Sequence, residues 1–507
     1  MPMRRWTTSG AVLTALLYTF ISPFTVVIGR DAGAGVPAPA LYVAPGGDDS
    51  TSCASPSFPC ASIQAAATRV AIGGTVVVAA GVYTETLRLS RAVTIAGAGP
   101  SATTVDGASR GSVVAVGPAA TVHLQGVTLR HGRAAGGGGI ANKGRLVLDH
   151  VTVIANTAAG EGGGIANTGV LTLRDSVVSG NDAQGADGGG GIANGLRGLR
   201  VLSGRLTVSN SVVARNTTTG AYGGGILDDA GTMTLEHDRV DTNTAPAGAG
   251  LAVFGAATIE ATTIQGNRAV YVGGGVFNAD SGAVTLTATT VASNTAAAFG
   301  GVANQGIFDV MTSTVAFNVA VSGAGGGIGN GGDQTPAFMH VTNSTISRNK
   351  ALGPGGGAYN EDRLRLNRDT IEANTTGGAG GGLATNALGG VVLSSVTIRN
   401  MIVAANVAAT YTDCDAIDGP SPASYGYNLV GDGAGCTFDA RLHDKVGTRT
   451  DPLDPRLSRL QGDSLHVLTL PPLRHGPARG AGTPTCGISA GIKGSCASGA
   501  SRPRISP

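Results

Sequence analysis

The sequence predicts an all-β fold, a single-stranded right-handed parallel β-helix with about 25 residues per coil and a short N-terminal capping helix. Two phrases alternate between positions 136 and 386: a glycine run such as GGGIAN and an alternating apolar run such as SVVARN. Both phrases close on asparagine, and the spacing is 25 residues from Asn156 to Asn181 and 24 from Asn243 to Asn267. A fixed period of this length is typical of a solenoid. The apolar runs have period two and are rich in Val and Thr, which favours strands over helices.

The repeated asparagines are predicted to form ladders at the turns. Successive coils of a parallel β-helix stack about 4.8 Å apart, so equivalent residues lie above one another. A buried carboxamide can then donate to the asparagine of one neighbouring coil and accept from the other, whereas an isolated one would be costly. The predicted ladder positions are Asn142, Asn156, Asn167, Asn181, Asn194, Asn216, Asn243, Asn267, Asn294, Asn349 and Asn374.

Glycine makes up 83 of the 507 residues, and most of the excess lies in the repeated runs. We expect these glycines at turns with positive φ, where other residues meet a steric penalty.

Composition excludes several functional classes. Lys and Arg total 34 and Asp and Glu total 32, so the net charge of +2 provides no basic footprint for nucleic acid. Only 13% of residues are charged and 42% are hydrophobic, the opposite of a disordered chain. The 4% aromatic content suits a narrow interior filled by small aliphatic residues.

The N-terminal region reads as an export signal. Arg4 and Arg5 precede an uncharged, mostly apolar stretch at 11–28 and a small-residue region at 32–35. We expect a signal peptide at 1–34, with cleavage near Ala34, followed by a linker at 35–40. A retained membrane anchor is the alternative for the apolar stretch, and no later segment has the length and hydropathy of a membrane span. The expected location is extracellular, either secreted or at the cell surface, with outer-membrane association possible.

Six cysteines fall into three close pairs, near the two ends of the repeats. Close pairs in an exported chain predict local disulfides, and the absence of CxxC spacing argues against a metal site. The predicted partners are Cys53 with Cys60, Cys414 with Cys436, and Cys486 with Cys496.

Three regions follow the linker. Positions 63–72 predict a short amphipathic helix that caps the open end of the stack, because an uncapped coil would expose a strand edge. The coils then run from Thr75 to about Cys436, so that the β-helix domain spans 41–440. The segment 441–507 is polar, rich in proline and without the repeat, and we expect it to be poorly ordered.

Parts of the sequence resemble a known superfamily. The phrases PCASIQAAA, GGTVVVAAGVYTE and VTIAGAG resemble the start of secreted bacterial right-handed parallel β-helix proteins of the pectin-lyase-like superfamily. The repeats are similar to those of polymorphic outer-membrane proteins, and YGYNLVGDGAGC at 425–436 resembles the end of surface proteins with variable anchors. The resemblance covers about 41–440 and implies a fold more than a chemistry, because the superfamily includes lyases, hydrolases and adhesins. The SPAIDAG and DQRG phrases usual at the C-terminus are absent, which leaves the cap and the anchor unassigned.

A candidate ligand face comes from the stacking of coils. Glu161 and Asp187 precede glycine runs in consecutive coils, within one residue of the same register, and Tyr222 takes that position in the next coil. Their carboxylates would lie about 5 Å apart, close enough for a calcium ion or an acid–base pair. A solvated acidic face is the competing interpretation, because no Arg or Lys shares the register. Calcium is the only cofactor suggested by this pattern.

Other acidic groups have a structural interpretation beside the functional one. Asp228 and Asp229 replace a ladder asparagine and are interpreted as a substituted turn. Asp413, Asp415 and Asp418 surround Cys414 and suit either calcium or a polar turn that closes a disulfide. The extra segment at 196–203, with Arg197 and Arg200, is interpreted as loop growth, with a partner-binding loop as the alternative.

The combined pattern predicts a secreted or surface-displayed scaffold whose long face binds glycans or cell-surface partners, without assigned catalysis and without nucleic acid. The alternative is a polysaccharide-active enzyme, a calcium-dependent lyase in preference to a hydrolase. An enzyme requires a carboxylate or calcium cluster with a base, whereas binding requires only an extended surface. The sequence does not indicate the oligomeric state.

Overall fold

The computed structural model describes residues 40–196, 203–332, 335–386, 394–437, 441, 443–462 and 467–482. This part of the chain is an all-β parallel solenoid of about 13 turns with about 26 residues per turn, which confirms the predicted fold class. A complete coil contributes one strand to each of four parallel sheets, here called sheets 1 to 4 in the order in which a coil visits them, and the first and last coils of the described chain lack a sheet 3 strand. Equivalent strands of successive coils therefore pair directly.

Sheet 1 contains the longest strands, most of them five residues. Its strands are Leu41–Val43, Thr75–Val78, Val93–Gly97, Thr121–Gln125, Arg145–Asp149, Val170–Arg174, Arg205–Ser209, Thr232–Glu236, Ala256–Glu260, Ala283–Thr287, Ile307–Met311, Phe338–Thr342, Arg363–Asn367, Ser395–Arg399 and Ala423–Ser424. Side chains alternate in and out, so Leu146 and Leu148 are buried and stack on Leu171 and Leu173 of the next coil. This period-two stacking builds one continuous core.

Sheet 2 follows sheet 1 after a tight turn. Its strands are Gly81–Thr84, Thr103–Asp106, Thr128–Arg130, Thr152–Ile154, Val177–Ser179, Val212–Ala214, Arg239–Asp241, Thr263–Gln265, Thr290–Ala292, Thr314–Ala316, Thr345–Ser347, Thr370–Glu372, Ile402–Ala404, Leu429–Val430 and Lys445–Val446. The middle residue of most of these strands, such as Val153 or Ile264, points into the core.

Sheets 3 and 4 complete the coil. The strands of sheet 3 are Arg133–Ala134, Thr157–Ala158, Asp182–Ala183, Thr217–Thr218, Thr244–Ala247, Arg268–Val272, Thr295–Ala296, Val319–Ala320, Lys350–Ala351 and Thr375–Thr376. The strands of sheet 4 are Leu87–Leu89, Val114–Val116, Ile140–Asn142, Ile165–Asn167, Ile192–Asn194, Ile226–Asp228, Leu251–Val253, Val276–Asn278, Val302–Asn304, Ile328–Asn330, Ala358–Asn360, Leu383–Thr385 and Cys414–Ala416. The glycine runs lie between these two sheets, where backbone groups of adjacent coils bond to each other, as from Gly163 to Gly189.

One ladder of buried carboxamides follows the turn between sheets 2 and 3. Each Nδ2 donates to the Oδ1 of the next coil over 2.9–3.1 Å, and the same Oδ1 accepts the backbone N–H of the preceding member. Each Nδ2 also reaches a strand carbonyl, as from Asn243 to Val213. The members are Asn156, Asn181, Asn216, Asn243, Asn267, Asn294, Asn318, Asn349, Asn374, Asn406 and finally Asp413.

A second ladder follows the C-terminal ends of the sheet 4 strands. Its carboxamide bonds are 2.6–2.8 Å long. The ladder is interrupted where Val253 replaces the asparagine. The members before the gap are Asn142, Asn167, Asn194 and Asp228, and those after it are Asn278, Asn304, Asn330 and Asn360. Asp228 therefore occupies the position of a ladder asparagine.

A short helix, Ile63–Arg69, covers the N-terminal coil and contacts its strands. Ile63, Ala66 and Ala67 are its buried residues, as an amphipathic cap requires. Ser62 caps the helix N-terminus, and Glu85 of the coil beneath accepts two N–H groups from the first turn. The helix ends three residues before the predicted limit at position 72. In the part of the chain that the structure describes, no helix has the length and apolar character needed to cross a bilayer.

Disulfides occur near both ends of the solenoid. Cys53 bonds to Cys60 close to the cap helix, and Cys414 bonds to Cys436 at the last strand of sheet 4. The predicted pair of Cys486 and Cys496 lies outside the described residues, as do the predicted signal peptide and the arginines at 197 and 200.

The segment after position 440 contacts the solenoid in its described parts. Lys445–Val446 extends sheet 2, and the short strands Gln461–Gly462 and Leu468–Thr469 form an antiparallel pair. The Thr314 hydroxyl bonds to both backbone groups of Leu468, over 2.7 and 2.9 Å. This segment therefore packs on sheet 2, although it carries no repeat.

Replacing Asn267 with Ala tests the stabilising role of the ladder. The change removes the acceptor of two buried donors of Asn243, its N–H and its Nδ2. Because a buried unsatisfied donor costs about 1–3 kcal/mol, we expect the unfolding free energy to fall by roughly 2–5 kcal/mol. Chemical denaturation followed by circular dichroism measures this loss. The control is Thr234→Ala on the exposed side of sheet 1, where a change within about 0.5 kcal/mol is expected; equal losses in both variants would contradict a special role for the ladder.

Candidate functional site

From Ala193 onward the outward side of sheet 4 is largely buried, whereas Ala141 and Ala166 in the earlier coils are partly exposed. The middle residue of each three-residue strand points outward, because its two neighbours point into the core. Nevertheless Ala193 is only 1% exposed and Leu227 is 0% exposed. The outward column consists of Ala141, Ala166, Ala193, Leu227, Ala252, Phe277, Ala303, Gly329, Tyr359 and Ala384. This column is the floor of what we call the sheet 4 groove.

Two rims flank the floor. The turn that enters sheet 4 supplies one rim, and the turn that leaves it supplies the other. Tyr222 and Phe299 stand on the entry rim, and Phe254 stands on the exit rim. These partly buried side chains pack against Leu227 and Phe277 of the floor. The large side chains therefore close over a floor of mostly small ones.

Three rings form an aromatic cluster in the middle of the groove. The centroids of Tyr222 and Phe254 are 4.7 Å apart and the rings meet edge to face. Tyr222 stacks on Phe277 at 5.6 Å with an interplanar angle of 10°, and Phe254 lies 6.1 Å from Phe277. This cluster joins the two rims across the floor.

Phe299 occupies a backbone position that glycine fills in the neighbouring coils. Its φ is +56°, in the left-handed region that disfavours a bulky residue by about 1–2 kcal/mol. The equivalent glycines are Gly137, Gly162, Gly189, Gly223, Gly248, Gly273, Gly325, Gly355 and Gly380. The ring lies over Gly329, where a Cβ would overlap it, and it stacks at 6.2 Å on Tyr359. Phe299 therefore adds one more ring to the groove at a backbone position that glycine would adopt without strain.

The acidic residues predicted from the sequence lie beside the aromatic cluster. Glu161 and Asp187 share a hydrogen bond, and the N–H of Tyr222 donates to the carbonyl of Asp187 over 2.9 Å. The structure thus brings together the three residues selected from the register. Glu161 is half-buried and Asp187 is exposed.

The surroundings of the Glu161 carboxyl favour its protonated form. Burial raises the pKa of Glu161 to about 8, helped by the hydrogen bond to Asp187 and by the negative charges of Asp187 and Asp229. Asp229 belongs to the exit rim and is itself buried. We call Glu161, Asp187 and Asp229 the acidic triad. Their carboxyl groups interact electrostatically although they come from both rims of the groove.

The groove can supply two kinds of chemistry. Aromatic rings provide flat apolar surfaces, and the carboxyl groups accept or donate hydrogen bonds beside them. A protonated carboxyl close to a second acid is also an arrangement for proton transfer. Carboxylate oxygens are ligands that calcium prefers, but the acidic triad does not bring three ligand atoms within 4.8 Å of one another, as a ready-made ion site would.

Among the other acidic candidates, Asp413 has a structural role. Asp413 accepts from the N–H and Nδ2 of Asn406 through one oxygen and from the N–H of Asp432 through the other. It is therefore the last member of a ladder. Burial raises the pKa of Asp415, which lies on the last strand of sheet 4.

Sequence reasoning missed the aromatic part of the groove. Asp229 was interpreted only as part of a substituted turn, and Phe254, Phe277 and Phe299 were not selected. A signal was present in the phrase GGGVFN, whose fifth letter occupies the outward column. Aligning that letter across all coils identifies the floor.

Comparisons with known proteins find only distant structural similarity. No protein-family model matches the chain, and no curated protein matches it. Pectate lyase Pel9A is similar in structure at 14% identity, with 90% of this chain and 95% of that chain covered and a TM-score of 0.33. A second similar structure is the A-module of the Azotobacter vinelandii mannuronan C-5 epimerase AlgE6, at 14% identity and a TM-score of 0.37. The match covers 71% of this chain and 92% of that module. A rhamnogalacturonan lyase is similar at 9% identity and a TM-score of 0.23, with 85% of this chain and 94% of that chain covered.

The pH dependence of stability tests the burial of the Glu161 carboxyl. Between about pH 4.5 and pH 8 the folded protein binds this proton and the unfolded chain releases it, so stability falls as pH rises through that window. Glu161→Gln carries no proton there, and we expect the melting temperature of the variant relative to the native protein to increase with pH. Thermal unfolding at half-unit pH steps measures the difference. Glu260→Gln, at an exposed position of sheet 1, is the control; equal pH slopes in both variants would contradict the assignment.

Proposed function

We propose that the protein is an extracellular scaffold that binds a polysaccharide along the sheet 4 groove. The observation that carries the proposal is the aromatic cluster lying beside the acidic triad on one covered face. Three rings in mutual contact and three acidic groups follow one another along the solenoid axis. A chain ligand can therefore meet both features at once.

The chemistry of the groove suits a carbohydrate. Sugar rings present apolar C–H faces that pack on aromatic side chains, and their hydroxyls bond to carboxyl groups, which fix orientation. Tyr222, Phe254 and Phe299 are partly exposed and so retain surface for a ligand.

The charge of the groove favours a neutral polymer. Asp187, Asp229 and, above its raised pKa, Glu161 place negative charge along the path of the ligand. A uronate polymer would be repelled by these groups unless a calcium ion lay between them. We therefore propose a neutral glycan as the ligand, with calcium-dependent binding of an acidic glycan as the contrasting outcome.

An extracellular location is part of the proposal. Disulfides such as Cys53–Cys60 and Cys414–Cys436 persist in oxidising compartments. The predicted signal peptide at 1–34 and the resemblance to surface β-helix proteins support the same location. Display on the cell surface and free secretion are both consistent with this evidence.

A polysaccharide-active enzyme is the second candidate, and it is favoured by the state of Glu161. A carboxyl with a pKa of about 8 beside Asp187 can protonate a glycosidic oxygen while its partner acts as base or nucleophile. A calcium-dependent lyase would instead use the same carboxylates as ligands. Both reactions require the groove to bind its glycan first.

Binding is tested by removing the rings. Tyr222→Ala and Phe254→Ala each delete a partner of the aromatic cluster, and we expect affinity for a neutral polysaccharide to fall tenfold or more. Affinity electrophoresis against a panel of neutral and acidic polysaccharides, with and without calcium, identifies the ligand, and calorimetry measures Kd. The control is Tyr271→Ala, a 64% exposed tyrosine on sheet 3. If all three variants bound the polysaccharide as tightly as the native protein, the groove would not be the binding site.

Catalysis is tested with the same polymers. The second candidate predicts new reducing ends or unsaturated products that disappear in Glu161→Gln, while the binding measured by electrophoresis persists. Calcium dependence of the product separates a lyase from a hydrolase that needs no metal. Binding without any product supports the scaffold.

A further inference from the structure

A second cluster of ligating side chains lies away from the groove, at the turn between sheets 1 and 2. Asp149 ends the sheet 1 strand Arg145–Asp149, His150 follows it, and Asp175 occupies the turn of the next coil. One ligand atom from each of these residues lies within 4.8 Å of the other two. The Nδ1 of His150 is 2.6 Å from an oxygen of Asp149.

A fourth group approaches from the preceding coil. His123 lies on the strand Thr121–Gln125, which pairs with the strand of Asp149. Its Nε2 is 3.9 Å from the second oxygen of Asp149. That nitrogen is inaccessible to solvent and forms no hydrogen bond within the described part of the chain. An imidazole nitrogen in this situation is available as a ligand.

We propose that Asp149, His150 and Asp175, joined by His123, bind a divalent first-row transition metal such as Zn²⁺. Imidazole nitrogen and carboxylate oxygen together suit this class of metal better than calcium, which prefers oxygen alone. Tetrahedral coordination with bonds of about 2.0–2.2 Å separates ligand atoms by about 3.4 Å. Distances of 2.6 Å and up to 4.8 Å among Asp149, His150 and Asp175 can approach that geometry through side-chain rotation, and His123 approaches the group from the side of Asp149, at 3.9 Å.

The turn backbone fixes two of the ligands. His150 and Asp175 have φ values of +52° and +48°, a conformation that His, Asp and Asn tolerate better than other residues. The N–H of His150 bonds to the carbonyl of Arg174 over 3.1 Å, which ties the two turns together. The ligands are thus presented from stacked coils before any metal binds.

The proposed site differs from the nearby pair of His131 and Asp106 in the charges that surround it. Asp106 is already neutralised by Arg130 at 3.0 Å and contacts His131 at 2.9 Å. At the proposed site Arg174 is the nearby cation, and it stacks on Asp149 in the outward column of sheet 1. Its positive charge repels a bound metal ion, so removing it should strengthen metal binding, although the exposed side chain can also turn toward solvent.

Metal titration of protein without a histidine tag tests the site. Co²⁺ is added and followed by its visible absorption, and Zn²⁺ is then used to displace it. We expect one Co²⁺ per chain, displacement by Zn²⁺, and no displacement by an equal concentration of Ca²⁺.

Variants locate the ion. His150→Asn and Asp175→Asn keep residues that suit the left-handed turn, and each should lower affinity tenfold or more. Arg174→Ala should raise affinity several-fold. His237→Asn, at the equivalent turn position of another coil, is the matched control and should leave affinity unchanged.

The titration and the variants can either overturn or support the proposed metal site. No Co²⁺ absorption in the native protein, or equal affinity in His150→Asn, would overturn the proposal. Circular dichroism and melting temperature without metal show whether each variant is folded, so loss of binding in a folded variant supports the site.

Discussion

The carboxamide ladder between sheets 2 and 3 is the interaction on which the rest of the structure depends. Each asparagine is buried and satisfies donors and acceptors in both neighbouring coils. A coil whose asparagine was out of register would leave several buried polar groups without partners. The ladder thereby sets where each coil from Asn156 to Asp413 must return, whatever its length. Extra residues can be added only between ladder positions, as in the 35 residues from Asn181 to Asn216.

This constraint separates the interior of the solenoid from its surface. Inside, stacked Leu, Ile, Val and Asn repeat with little variation, because each residue must match its equivalents in the coils above and below. Outside, a residue has to fit only its local surroundings. The sheet 4 groove illustrates the difference, since Ala252 and Phe277 occupy adjacent steps of the same column. Chemical specificity therefore concentrates in the outward columns and the rims.

The sequence was a good predictor of whatever repeats along the chain. The period of the asparagines and the alternation of apolar residues were sufficient for the parallel solenoid, and the same register brought Glu161 and Asp187 together. The aromatic cluster could not be found in this way, because Tyr222, Phe254 and Phe277 come from an entry turn, an exit turn and a floor strand. The contact of Thr314 with Leu468 joins residues 154 positions apart, and no repeated motif in the sequence predicts it.

The two ends of the ladder show how the carboxamide series begins and stops within the longer solenoid. At the first member, Asn156 accepts from the backbone N–H of Gly132 instead of a carboxamide. At the last, Asp413 receives the bonds of Asn406 and has no amide group with which to continue the series. The hydrogen-bonded chain has a direction, with a backbone donor at its start and a carboxyl acceptor at its end. A further asparagine coil could therefore not continue the series past Asp413, whereas the sheets extend for several coils before Asn156 without it.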